Sequence, residues 1–443
     1  MIPKPEACKG CPLYGTGYGY VPDESRDNSS VYILGQNPGA EEEAAGRPFV
    51  GKTGTSMETY LSLAGLKREG VSIANAVRCR WQNSNELPEL GKKDQIAETA
   101  IDHCRRAYFR CPDPTRLVVA QGEYALYSST GERGITSWRG WLLPLSSIGL
   151  QSILREVWSP KLGQIPVLAT IHLAALFHQQ SLSYPTRMDW LKVPKVLSGQ
   201  WPSEPPGWVT DPPRAWPRVS AFDTEYDPTT GSLERYSLYD GEHLYVVEAG
   251  TPHPYLEMPE DATVILHHAE ADLTRLSHLV DGPPAHLEDT MLMDAVLWTD
   301  RPHDLEFLGS LYAPINRWKH LQYVKRGKVI SVNPQQYSAM DAFGTWHVYQ
   351  ALRREMDADA SSEWVYRNAV APLTPINMES ESTGLGLSQD RVLQARTHFQ
   401  CEADDLQLQA AAHVGWPINL GSPDQMAHQL YTIEGIGKKR SKK

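Results

Sequence analysis

Asp223 and Glu225 stand two residues apart in V-S-A-F-D-T-E-Y, at the end of a short apolar run. In a strand, residues two apart project from the same face, so both carboxylates can meet one cation. Asp272 follows a second apolar run, in V-I-L-H-H-A-E-A-D-L, and Tyr337 and Asp341 are four apart in a helical pattern, on one face. Four carboxylates arriving from separate elements suit a pair of Mg²⁺ or Mn²⁺ ions. Such a pair activates water and stabilises a leaving oxygen.

A second chemistry is written in sulfur. Of Cys8, Cys11, Cys79, Cys104, Cys111 and Cys401, all but the last lie in the N-terminal part, opening with a C-x-x-C. The N-terminus, Met1-Ile2-Pro3-Lys4-Pro5, has no signal-peptide core, which leads us to expect a cytoplasmic protein. In a reducing compartment the cluster points to metal binding rather than to disulfides.

Polar motifs follow several apolar runs. Gly35-Gln36-Asn37-Pro38-Gly39 comes directly after Val31 to Leu34, and Gly46-Arg47-Pro48-Phe49-Val50-Gly51 comes next. Asn75 to Arg80 and Thr170-Ile171-His172 close two later runs. Polar motifs at the C-terminal ends of parallel strands are where ligands bind in open α/β sheets. Residues Gly46 to Thr53 also fit the phosphate-loop pattern G-x-x-x-x-G-K-T, but eleven residues separate Leu34 from Gly46. A true phosphate loop follows its strand at once, and Pro48 and Phe49 suit a base-stacking wall better than a phosphate cradle. His267, His268 and His172 do not read as a metal trio, since two are adjacent and the third lies far away in the chain.

These residues need a scaffold, and 443 residues are enough for two or three domains with their own cores. No apolar run approaches the length of a membrane span, so no membrane association is expected. The net charge of −11 means that any grip on nucleic acid must come from local basic patches, such as the tail Lys438 to Lys443. Ser198 to Arg218 holds six prolines and reads as a semi-rigid linker. Its tryptophans, Trp201, Trp208 and Trp216, are expected to dock it onto neighbouring domains, with stacking on single-stranded DNA as the alternative. Before the linker, the apolar runs Val31 to Leu34, Val71 to Val77, Leu117 to Ala120 and Ile165 to Thr170 alternate with longer stretches, which suggests an α/β layer with a parallel sheet. After it come a strand (Arg218 to Phe222), a hairpin around Asp240-Gly241, a strand (Thr263 to Leu266), and then helical patterns. The expected domains are residues 1–197, linker 198–218, 219–360 and 361–443.

The order D-x-E, H-x-x-A-D, Y-x-x-x-D resembles the proofreading 3′–5′ exonuclease domain of family A DNA polymerases, which has an RNase H-like fold and whose second motif is N-x-x-[FY]-D. Glu288 to Leu308 also resembles that family's connecting helices. The resemblance implies that Asp223, Glu225, Asp272 and Asp341 hold the metals and that Tyr337 orients the attacking water. His268 and Ala271 depart from the motif without touching a ligand. Downstream, M-E-S-E-S-T-G-L-G-L-S-Q-D-R-V-L and G-W-P-I-N-L-G-S-P-D-Q-M-A-H-Q-L resemble the start of the polymerase thumb. The palm and fingers motifs are missing. No polymerase activity is therefore expected from this chain alone, and a second chain carrying palm and fingers is expected.

The first 190 residues or so resemble the family-4 uracil-DNA glycosylases, α/β/α proteins that share G-E-x-P-G, G-x-P-F-V-G, N-x-x-K-C-R-P and T-x-H-P-A and hold a [4Fe–4S] cluster. The resemblance implies that Phe49 stacks on a flipped base, Asn75 positions it, and His172 stabilises charge developing on it. Cys8, Cys11, Cys79 and Cys104 would be the cluster ligands, with Cys111 an alternative to Cys104 because the gap after Cys79 is long. Gln36 stands where the family has glutamate, and Leu173 where it has proline. A neutral amide cannot offset positive charge on the departing sugar, so uracil excision is expected to be weak or absent. The whole order resembles the N-terminal part of certain phage family A polymerases: a proofreading nuclease acting on DNA 3′ ends, or alternatively a DNA-docking, uracil-sensing subunit of a split polymerase that keeps glycosylase activity.

Overall fold

Short runs of β-branched and small apolar residues build the first sheet: β1 (Val31–Gly35), β2 (Ser72–Asn75), β3 (Leu117–Gln121), β4 (Leu142–Pro144) and β5 (Pro166–Thr170). The computed structural model describes residues 2–15, 19–81, 87–145, 164–227, 229–251, 256–276, 278–281, 284–325, 328–384 and 386–436. The strand order is β2-β1-β3-β5-β4, all neighbours parallel except β4 with β5. Every residue of β1, β2, β3 and β5 is buried, which is why they read as unbroken apolar runs instead of alternating ones. The pleat divides them: Val31 and Ile33 pack with Met57, Leu61 and Trp190, while Tyr32 and Leu34 pack with Ala125 on the other face. Strand β4 escaped the sequence reading because three residues carry no periodicity.

The linker is partly structure. Trp201 is buried in the core beneath Trp190, and Trp216 in the core around Phe222. Between them Trp208–Val209 forms strand β6, pairing with the second sheet. That sheet contains β7 (Val219–Tyr226), β8 (Leu233–Tyr239) and β9 (Leu244–Glu248), and runs to β11 (Thr263–Leu266) and β13 (His286–Asp289), in the order β13-β11-β7-β8-β9-β6. A small sheet of β10 (Leu256–Glu257) and β12 (Val280–Asp281) stands apart. The β8–β9 hairpin turns at Asp240-Gly241, where the Asp240 carboxylate accepts from the N–H groups of Glu242 and His243 and Gly241 takes φ 95°. Strand β7 is longer than expected and carries both Asp223 and Glu225 within it. The helix Pro334–Ala358 packs across β7 and β8, its start fixed by Pro334 and by Asn333, whose side chain accepts from Gln336 N. This is an RNase H-like arrangement behind a glycosylase-like α/β domain, with a helical region after it.

The two α/β modules share a core. Leu126, Trp138, Trp141 and Leu143 of the first pack in one cluster with Tyr239, Trp318 and Phe343 of the second. Residues Met1–Thr374 accordingly form one compact unit, and Pro375–Lys443 another. The first of these units runs on past the helix Pro334–Ala358, because Tyr366 is fully buried and its hydroxyl accepts from Asp289 N. The second unit contains the long helix Gln389–Val414, none of whose residues is buried. Leu406, Leu408 and Leu420 are 52, 69 and 41% exposed. Ile418, by contrast, is buried, its carbonyl accepting from Gln407 Nε2. The basic tail 438–443 lies outside the described residues. No helix among the described residues is long and apolar enough to cross a membrane.

Candidate functional site

Strand β7 delivers Asp223 and Glu225, and the helix Pro334–Ala358 delivers Asp341; ligand oxygens of the three lie within 4.8 Å of one another. Oδ2 of Asp223 is buried with no hydrogen-bond partner. A buried acceptor left open beside two further carboxylates fits a cation and little else. Asp272 sits alongside, 4% exposed, with one oxygen accepting from Thr224 N at 3.0 Å and from the Thr224 hydroxyl. Burial, then the neighbouring Asp341, Asp272 and Glu225, pushes Asp223 well above the carboxylate range. Burial also pushes Glu225 up to about 7, reinforced by Asp341, and Asp272 up to about 7.

These shifts carry a sign. The folded, metal-free chain holds protons that an unfolded carboxyl, with a pKa near about 4, gives up. The groups therefore favour folding below about pH 4 and lose that contribution as the pH rises through about 7. In chelator, the melting temperature is expected to be lower at pH 8 than at pH 6, with added Mn²⁺ narrowing the gap. A melting temperature that is flat across that window would contradict the placement of these carboxylates.

Two residues at this site gave no motif signal. Lys319 reaches Asp341 at 2.6 Å and donates to the Tyr337 hydroxyl at 2.9 Å. Burial opposes its charge, but Asp341 and Tyr337 outweigh this and raise its pKa above the ordinary ammonium value. Trp318 donates Nε1 to the same Asp341 oxygen at 2.6 Å. Both lie in N-R-W-K-H-L, where a tryptophan flanked by basic residues was the only hint. The second-motif departure also finds a reason: His268 has φ 66°, a left-handed conformation that Asn tolerates best and His tolerates better than most residues.

In the first module, the carboxyl ends of β1, β2 and β5 bring Gln36, Asn75 and His172 together. Gly35 pairs with Asn75 in register, and a Cβ on Gly35 would collide with the Asn75 amide and the Phe49 ring. A Cβ on Gly122 would collide with the Gln36 amide and reach within 3.0 Å of His172. The Phe49 ring lies 6.0 Å from that of His172. Burial lowers the His172 pKa to about 4, so the ring is neutral at pH 7. Its Nδ1 accepts from Ala174 N at 3.3 Å, which leaves the proton on Nε2 as a donor. Nδ2 of Asn75 is buried beside the Glu42 carboxylate. Glu42, which the sequence reading passed over, accepts from the N–H groups of Phe49 and Gly39 and pins the loop that carries Phe49 at φ 50°.

Cys8, Cys11, Cys79 and Cys104 line one cavity with Lys4, Tyr20 and Arg78. They arrive from the 3-10 turn Glu6–Cys8, the residues after it, the segment following β2, and the helix Ile96–Tyr108. Cys111 does not line it and packs instead near Tyr32. Burial drives the Cys79 thiol up to about 12 and Cys104 up to about 11, a cost that a cationic metal group would offset.

A fold with carboxylates gathered on an RNase H-like sheet, following an α/β sheet that brings Gln36, Phe49, Asn75 and His172 together at its carboxyl end, defines a two-part DNA-processing protein. Residues 22–192 match the uracil DNA glycosylase superfamily, and residues 219–357 match a 3′–5′ exonuclease family. The chain is 35% identical over 208 residues to the type-4 uracil-DNA glycosylase of Archaeoglobus fulgidus, covering 44% of this chain and 92% of that one. It is 28% identical over 193 residues to the type-4 enzyme of Sulfurisphaera tokodaii, covering 42% and 79%. Over 100 residues it is 28% identical to DNA polymerase I of Chloroflexus aurantiacus, covering 23% of this chain and only 11% of that protein. Through its first module the chain belongs to the type-4 uracil-DNA glycosylase family of the uracil-DNA glycosylase superfamily, and it carries a 3′–5′ exonuclease domain fused behind it. The exonuclease family implies a divalent metal.

Proposed function

We propose that the chain removes nucleotides from DNA 3′ ends by metal-dependent hydrolysis, as the proofreading part of a family A polymerase of the phage type. The observation that carries this reading is the convergence of Asp223, Glu225 and Asp341 within 4.8 Å from elements over a hundred residues apart. Asp223, Glu225, Asp272 and Asp341 would hold two Mg²⁺ or Mn²⁺ ions, which lower the pKa of a bound water and neutralise charge on the leaving 3′ oxygen. Tyr337 would orient the water through its hydroxyl, and Lys319 holds that hydroxyl in place. The test is a labelled primer with a mismatched 3′ end: shortening is expected with Mg²⁺ or Mn²⁺ and none with chelator. An intact primer after incubation with metal would defeat the reading.

The first module we assign as a DNA-binding, uracil-sensing domain with a [4Fe–4S] cluster on Cys8, Cys11, Cys79 and Cys104. What supports this reading is that the four thiols line one cavity and that burial raises the pKa of Cys79 and Cys104, a cost that ligation of iron would offset. Phe49 would stack on the flipped base, Asn75 would face its edge, and neutral His172 would donate from Nε2 as negative charge grows. Gln36 and His172 both lie beside Gly122, where a carboxylate at position 36 would offset positive charge on the sugar. Gln36→Glu is therefore expected to raise uracil excision from a weak or absent wild-type level. Strong wild-type excision that is indifferent to this change would favour the alternative, in which the chain is a glycosylase-active docking subunit. The exposed Leu406 and Leu408 on the helix Gln389–Val414 suit cover by polymerase palm and fingers.

A further inference from the structure

The stretch Pro314 to Lys319 touches both modules. At its start, Pro314 O accepts from Ser203 N at 2.6 Å and from the Ser203 hydroxyl at 2.9 Å. Next, the Asn316 side chain grips Leu142 of edge strand β4. Leu142 N donates to Asn316 Oδ1 at 3.0 Å, and Asn316 Nδ2 donates to Leu142 O at 2.8 Å. The amide thus covers an open sheet edge as a further strand would. Trp318 then meets Trp141 edge-on, with ring centroids 5.9 Å apart. Room for the ring is made by glycine: a Cβ on Gly309 would come to 2.6 Å from it and one on Gly344 to 3.0 Å. At its far end the stretch reaches the carboxylate cluster, where Trp318 Nε1 and Lys319 Nζ both lie 2.6 Å from the same oxygen of Asp341.

We propose that residues 314–319 form a strap through which the glycosylase-like module positions Asp341, with Trp141 and Asn316 as positioning residues for the metal site of the exonuclease. The inference rests on the exonuclease reading above. Neither residue touches the carboxylates, and each acts on Asp341 through the strap. Two donors locked onto one carboxylate oxygen fix that group's rotamer, and the lock is only as firm as the anchor behind it. On this view the first module is a structural part of the nuclease site as well as a DNA-binding unit.

The test uses the full-length chain with Asn316→Ala, Trp141→Ala and Trp141→Phe. Mn²⁺ binding without DNA is followed by electron paramagnetic resonance, and 3′ trimming is followed separately. Changing groups that support metal ligands costs roughly 10–100-fold in metal affinity. A loss of that size is expected for Asn316→Ala and Trp141→Ala, with kcat for trimming reduced and KM for DNA little changed. Trp141→Phe should recover most of both, since an aromatic edge still meets Trp318. Binding of uracil-containing DNA reports that the first module remains folded. Should Trp141→Ala fail to fold, Asn316→Ala, which removes the side-chain bonds to Leu142 and no ring, decides. Wild-type Mn²⁺ affinity in folded Asn316→Ala or Trp141→Ala protein would overturn the strap. A wild-type chain that binds Mn²⁺ but does not cut would defeat the exonuclease reading, and the Mn²⁺ comparison would still judge the strap.

Discussion

Asp223→Ala will leave the full-length chain unable to shorten a frayed 3′ end. Asp223 offers the buried, unpartnered oxygen of the cluster, so its loss removes the position from which a cation can face Glu225 and Asp341 together. Metal stabilisation of the transition state amounts to several kcal/mol, so the rate should fall by about a thousandfold or more. The folded state should not suffer. Three carboxylates crowd Asp223, and their repulsion is part of what raises its pKa. Removing one therefore relieves strain in the metal-free chain, whose melting temperature in chelator should equal or exceed that of wild type. Loss of activity together with higher metal-free stability would be hard to explain by misfolding. Undiminished trimming in the variant would end the assignment.

Cys104→Ala will yield colourless protein, and Cys111→Ala will not. Anaerobically prepared wild type is expected to be brown, with about four iron and about four sulfide per chain, as one cubane requires. Cys104 lines the cavity with Cys8, Cys11 and Cys79, whereas Cys111 packs elsewhere. The effect should extend beyond colour, because Cys104 ties the helix Ile96–Tyr108 to the chain's first turns. A substantial fall in melting temperature is expected, and the shared core should let it register in the unit 2–374 as a whole. Colourless wild-type protein loaded with zinc would refute the cluster assignment.

Much of this is legible in the sequence. Asp223 and Glu225 announce themselves because a strand has period two, and Tyr337 and Asp341 because a helix returns to the same face every four residues. Unbroken apolar runs betrayed the buried parallel strands. Lys319 and Trp318 were invisible because each acts through a contact that local periodicity cannot encode, as does the bond from Phe49 N to Glu42. Lys319 is 22 residues from Asp341, and Trp318 is 23. The linker misled for a related reason: six prolines signal extended chain but not the partner it lies against, and Trp208–Val209 completes a sheet whose other strands come later. Cys104 lies on the helix Ile96–Tyr108 and Cys111 beyond its end, and which of them reaches the chain's first turns is set by how that helix packs.

The continuity between Trp141 and Trp318 bears on how the protein is made. Domains usually fold one after another as the chain leaves the ribosome, each closing its own core first. Here the first sheet emerges with Trp138, Trp141 and Leu143 in a cluster whose other half has not yet been translated. Asn316, which covers the edge at Leu142, follows 174 residues later. At roughly 5–20 residues per second that is a wait of about ten to thirty-five seconds with an apolar flank and an open strand edge in contact with the cell. Expression yield should therefore depend on chaperone supply and growth temperature, and shortening the chain to its first 197 residues would make that transient exposure permanent.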